Sequence, residues 1–159
     1  PLLMRFPGGE VTGRIEANVQ GLDIAPTILD YLGLPQPDWM SGLSLLGGNV
    51  AQRYIYGVGA GHIERSEAGR WHITPEQNKP PFYQIGRVSI IDCQRWYELN
   101  LLQLSFNSGD IVRHSAPCTA DQILTPQAAY DLLLQYLREH EFDVGSIEDI
   151  PIESLMKGE

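Results

Sequence analysis

Apolar positions recur at helical spacing in two stretches of the chain. In the first, Ile24, Ile28, Tyr31 and Leu32 fall at i, i+4, i+7 and i+8, which gathers them on one helix face. Asp23 stands where an N-cap would stand, and Pro26 falls in the first turn, where its missing N–H costs no intrahelical bond. Gly33 suits the left-handed position past the end, and Pro35 prevents resumption. The spacing therefore predicts a short helix starting at Asp23. The second stretch opens at Thr125-Pro126, an N-cap followed by Pro at the first helical position. Ala129, Leu132, Leu133, Tyr136, Leu137 and His140 continue its stripe, with His140 in the last turn, where a protonated imidazole would oppose the helix dipole.

Between the two helices the pattern becomes extended. Residues 54–58, 70–74, 87–92, 96–106 and 111–114 are rich in β-branched and aromatic side chains and read as strands. Asn107-Ser108-Gly109-Asp110 reads as a hairpin turn between the last two, since Gly supplies the positive φ such loops need. The loop 75–81 is too rich in proline for a central strand. The expectation is an antiparallel sheet of about four strands with the second helix on one face. Upstream, residues 2–6 read as a buried strand ending at Pro7-Gly8-Gly9, and residues 14–20 as a short extended or helical segment. Pro-bounded turns follow in 36–49, and Gly47-Gly48 marks a boundary near residue 50. The acidic tail 145–159 reads as frayed or loosely packed.

Composition sharpens this picture. At 159 residues the chain is the size of one domain and can remove roughly 70% of its unfolded surface from water. Hydrophobic residues make up 43% of the chain and charged ones 19%, a globular composition. The net charge is −9 and the eleven basic residues are scattered, so nucleic acid is excluded as the main partner. The same charge gives no general attraction to sulfate or phosphate esters, which local groups or a metal would have to hold. Pro1-Leu2-Leu3-Met4 carries no signal-peptide pattern, no membrane segment is present in this chain, and a start inside an apolar run reads as a cut. Cys93 and Cys118 are the only cysteines; two buried thiols is the plainer reading, and one disulfide, which would point to an exported protein, is the alternative.

The most function-like segment is Gly57-Val58-Gly59-Ala60-Gly61-His62-Ile63-Glu64-Arg65. Its glycines permit close backbone approach, and His62 and Arg65 are the candidate substrate-binding residues at a cleft rim. It is not a dinucleotide fingerprint and lacks the Lys-Ser/Thr of a phosphate loop, so a mobile glycine turn is the plainer reading. His62, His72, His114 and His140 lie far apart with no zinc spacing. No G-x-S-x-G elbow occurs, which argues against an independent serine hydrolase. Trp71, Trp96 and Tyr97 read as sheet core.

Three blocks carry a family likeness: Pro1-Leu2-Leu3 running to Pro7-Gly8, then Gln20 to Pro35 with its Asp-hydrophobic-Ala-Pro-Thr core, then Gly42-Leu43-Ser44-Leu45-Leu46. In order and spacing they resemble the stretch after the catalytic centre of sulfatases, in the alkaline-phosphatase-like superfamily. The likeness covers residues 1–46. It implies an α/β fold that becomes α+β in the C-terminal half: a partial alkaline-phosphatase-like fold ending in an antiparallel sheet of about four strands covered by a C-terminal helix. The expected layout is an edge of the α/β core in 1–50, an antiparallel-sheet-plus-helix subdomain in 51–145 and a tail in 146–159.

The resemblance also implies what this chain lacks. The family attacks a sulfate or phosphate ester with a formylglycine made in a C/S-x-P-x-R motif, or with a bare Ser or Thr, beside a divalent cation held by Asp, His or Asn. Cys93 sits in Cys-Gln-Arg-Trp-Tyr and Cys118 in Cys-Thr-Ala-Asp-Gln, so neither fits that motif. The family's metal ligands and catalytic Lys lie N-terminal to the first block. No catalytic residue and no metal ligand are therefore assigned here, and Asp23 reads as a cap. The expectation is a catalytically silent C-terminal piece of a metal-dependent sulfatase-like hydrolase, with no cofactor of its own and Ca²⁺ or Mg²⁺ in the parent. Its expected partners are the missing N-terminal catalytic half and, through exposed apolar surface, other copies of itself. The parent is expected to be exported, periplasmic or membrane-associated. Two alternatives are a piece of a membrane-associated phosphoryl or phosphoethanolamine transferase or phosphodiesterase of the same superfamily, and a non-catalytic carbohydrate- or protein-binding module.

Overall fold

The computed structural model describes residues 2–48, 50–60, 63–69, 71–73, 85–111, 123–142 and 144–156. Helix α1 spans Ile24–Tyr31, preceded by one 3-10 turn at Gly21–Asp23. Six strands follow among the described residues: β1 Ile55–Ala60, β2 Ile63–Arg65, β3 Trp71–Ile73, β4 Ile85–Asp92, β5 Arg95–Asn100 and β6 Ser105–Asp110. The chain then forms α2 Pro126–Glu139, α3 Gly145–Glu148 and α4 Ile152–Leu155. Strands β1, β4, β5 and β6 pair in that order as one antiparallel sheet, and β2 pairs with β3 as a separate hairpin. The mixed α/β architecture with a four-stranded antiparallel sheet is the one expected.

Register decides which side chains meet. Val58, Val88, Leu99 and Phe106 are aligned across the four strands, as are Tyr56, Ile90, Tyr97 and Ser108. These two rows share one face because alternate strand residues do. On that face Val88, Ile90, Tyr97, Leu99 and Phe106 are buried with Ala129, Tyr130, Leu133, Leu134 and Leu137 of α2. Each such large apolar side chain contributes on the order of 1.5–3 kcal/mol by leaving water. Thr125 caps α2 as expected, its Oγ1 accepting from Ala128 N at 3.2 Å. The start of α2 is also fixed from the sheet: Leu124 N donates to buried Asp92 Oδ2 at 2.7 Å, and the Tyr97 hydroxyl donates to Leu124 O. Burial pushes the Tyr97 and Tyr130 hydroxyls above the usual phenol range.

Several expectations are corrected. Asn107-Ser108-Gly109-Asp110 is not a turn; all four residues lie in β6, opposite Glu98, Tyr97, Trp96 and Arg95. The turn falls at residues 101–104, where the Asn100 side chain accepts from Leu102 N and Gln103 N and Leu104 takes a φ of 47°. Gly109 is needed for space instead: a Cβ there would stand 2.9 Å from Trp96 Nε1. Trp96 consequently occupies the outer sheet face, while Tyr97 joins the core. The Trp71 side chain, Ile111's neighbours 112–114 and the loop 75–81 lie outside the described residues.

Residues 2–6 form no strand. Leu3 is 89% exposed, because an isolated extended segment has no ladder partner among the described residues. Residues 14–20 are likewise neither helix nor strand. The stretch 144–156 is not frayed: Val144, Ile147, Ile152 and Leu155 are buried in the main core. Their spacing gives two short helices with apolar inner sides, and the Tyr130 hydroxyl donates to Ile147 O at 3.0 Å.

Candidate functional site

The residues of chemical character nearest the family-like motif converge around α1. Asp23, Thr27 and Asp30 are spaced to share one helix face. Asp23 is fully buried, and its carboxylate accepts from Gln20 N at 2.8 Å and from Leu43 N at 2.9 Å. It also pairs with the guanidinium of Arg53, a side chain that is itself mostly buried. Thr27 Oγ1 donates to Asp23 O and accepts from Leu45 N at 3.0 Å, and Ser44 Oγ donates to Asp30 Oδ2. Asp23 thus stands at the N-cap position of α1, but its side chain makes no capping bond to that helix. Its carboxylate is the N3 acid of a capping box whose N-cap is Gln20, and the center of a junction that joins Gln20, Leu43 and Arg53.

The electrostatics follow from this geometry. Burial alone would raise the Asp23 pKa, yet hydrogen bonds from Arg53, Leu43 and Gln20, with the Arg53 charge, hold the carboxyl below its usual range. Gly42 completes the junction, since a Cβ there would sit 2.0 Å from Leu22 O and 3.0 Å from Pro26 Cγ. The Gly-x-Ser-Leu-Leu block is therefore a strap fastened to α1 by side chains. At the far end, Gly33 takes a φ of 66° and Leu34 N reaches Leu29 O at 2.9 Å, the predicted stop.

The opposite face of α1 is apolar and open. Ile24 is 37% exposed, Ile28 46% and Leu32 59%, while Tyr31 packs on Phe6 with ring centroids 4.8 Å apart. The predicted stripe exists, and apart from Tyr31 it faces away from the chain's own core.

The glycine segment is split by the structure. Gly57 and Gly59 lie in β1 opposite Ser89 and Arg87, and a Cβ at Gly59 would meet Arg87 Cγ at 2.7 Å. They serve cross-strand packing, and Arg87 is a cation beside this segment that sequence spacing gave no means of finding. Arg65 ends β2, and its Nε donates to Gly69 O at 3.2 Å. His62 lies outside the described residues. His140 ends α2 with its Nδ1 2.8 Å from Tyr136 O, and its ring lies 4.2 Å from that of Tyr136.

Cys93 is fully buried and disulfide-bonded, which overturns the reading of two thiols, and the chain's one other cysteine is Cys118. An open cleft of about 580 Å³ runs between α2 and the α3–α4 segment, with Arg138 paired to Glu148 at its edge. Among the described residues, no group of three or more His, Cys, Asp or Glu could hold a metal ion. No described helix is long and apolar enough to cross a membrane.

Comparison with known proteins gives a family match that includes α1. Residues 1–54 match the family model for N-sulphoglucosamine sulphohydrolase, C-terminal. A stretch of 44 residues is 50% identical to a Gloeobacter violaceus protein named 2,3-bisphosphoglycerate-independent phosphoglycerate mutase; it covers 28% of this chain and 8% of that protein. The chain thus spans well under two thirds of that relative's length. Both matches fall in one superfamily, and the first includes the α1 junction, the strap and Arg53. Over residues 1–54 the chain is thus similar to the C-terminal part of N-sulphoglucosamine sulphohydrolase, a member of the same alkaline-phosphatase-like superfamily as the phosphoglycerate mutase.

Proposed function

We propose that this chain is the C-terminal piece of a metal-dependent sulfatase-like hydrolase whose parent cleaves a sulfate ester, with nucleophile and metal ligands outside the chain. One observation carries the reading: α1 directs its polar face inward to the strap and turns Ile24, Ile28 and Leu32 outward. A self-contained module would bury such a stripe, because exposed apolar surface at helical spacing forgoes about 25 cal/mol per Å². The stripe suits packing against the parent's N-terminal catalytic half. The layout proposed is an α/β-core edge in 1–50, the sheet-and-helix subdomain in 51–145 and a terminal segment in 146–159.

The donor set supports placing the metal elsewhere. Asp23, the buried carboxylate in the family-like motif, already accepts from two backbone N–H groups and Arg53, and no group of three or more His, Cys, Asp or Glu surrounds it among the described residues. The described residues therefore do not fit a Ca²⁺ or Mg²⁺ site, and no chemical step is assigned to them. In the parent, His62 and Arg65 are proposed to line the substrate cleft, Arg65 from the end of β2. A disulfide at Cys93 supports an exported parent.

The second reading, phosphoryl transfer, draws support from the phosphoglycerate mutase relative. One measurement tests the fragment reading that both share, and a second separates the two. The chain alone, given aryl sulfate or aryl phosphate with added Ca²⁺ or Mg²⁺, is expected to show only background hydrolysis, and turnover would sink the fragment reading. In the parent, a C/S-x-P-x-R motif with aryl-sulfate turnover supports the sulfatase, whereas a bare Ser or Thr with phosphate-ester turnover overturns it.

A further inference from the structure

We draw no further inference here: the strongest candidate, the open cleft between α2 and the α3–α4 segment, is rimmed by Asp131, Glu148, Asp149 and Glu153 over Tyr130 and Leu134, and an acidic rim with no second sign of a ligand says nothing of what would occupy it.

Discussion

Replacing Asp23 by Asn tests the junction at its center. The exchange keeps shape and volume but removes the charge, and the new NH₂ group confronts donors from Gln20 N, Leu43 N or Arg53. Breaking a buried ion pair from one side costs about 3–5 kcal/mol, because the surviving charge stays uncompensated. Arg53 retains 19% of its side-chain exposure and can recover some hydration, so the low end, about 3 kcal/mol, is expected. For a domain of this size that is a fall in Tm of roughly 6–12 °C, readable by circular dichroism. Asp23→Asn combined with Arg53→Met should cost less than the sum of the two singles, with a coupling of about 1–3 kcal/mol. The sign with pH follows from the lowered pKa. The Asp23 contribution is fully present above the unfolded carboxyl value near 3.8 and is lost as pH falls through the lower folded value. The gap between wild type and Asp23→Asn should therefore be constant at neutral pH and close only in strong acid. A Tm change under about 2 °C at pH 7, or a gap that closes near pH 6, would refute the junction as described.

Three further outcomes are expected. Gly42→Ala would drive a methyl group into the Leu22 carbonyl, so it should cost about 3 kcal/mol or more in urea denaturation, while Gly47→Ala, where nothing lies within 4 Å, should cost well under about 1. The chain alone should self-associate through the open α1 face; Ile28→Glu should shift its sedimentation to monomer while leaving stability within about 0.5 kcal/mol. Reduction of the Cys93 disulfide should lower stability by about 2–4 kcal/mol, and peptide mapping without reductant should recover Cys93 joined to Cys118.

Both long helices were legible because their ends carry local chemistry. Thr125-Pro126 and Gly33-Leu34-Pro35 act within a few residues of themselves and need no partner. The inward or outward sense of α1 was not legible, since a stripe of apolar residues looks the same whether its cover is this chain or another. Gly109 was misread because a glycine in a turn and a glycine beneath a cross-strand Trp are identical until register is known. The tail was misread from its charge; Ile147, Ile152 and Leu155 decide its packing, and their partners stand far away in sequence. Asp23 occupied a capping position, yet its partners Leu43 and Arg53 lie 20 and 30 residues on. The three-block likeness was legible because it is a matter of order and spacing, and the family match over residues 1–54 spans all three blocks.

The strap across α1 is fastened in an unusual currency. In the sheet, neighboring backbones satisfy one another, so a side chain can change while the ladder persists. At residues 43–45, Leu43 N and Leu45 N are satisfied instead by the Asp23 and Thr27 side chains. A one-atom edit can then leave a main-chain amide in the fold's interior without an acceptor, an exposure that strand pairing avoids. Asp, Thr and Ser gathered in one place resemble reactive machinery by residue type alone. Here they do the work that a neighboring strand would do, none pairing with the strap among the described residues, and a search for active residues by composition would arrive at this fastening.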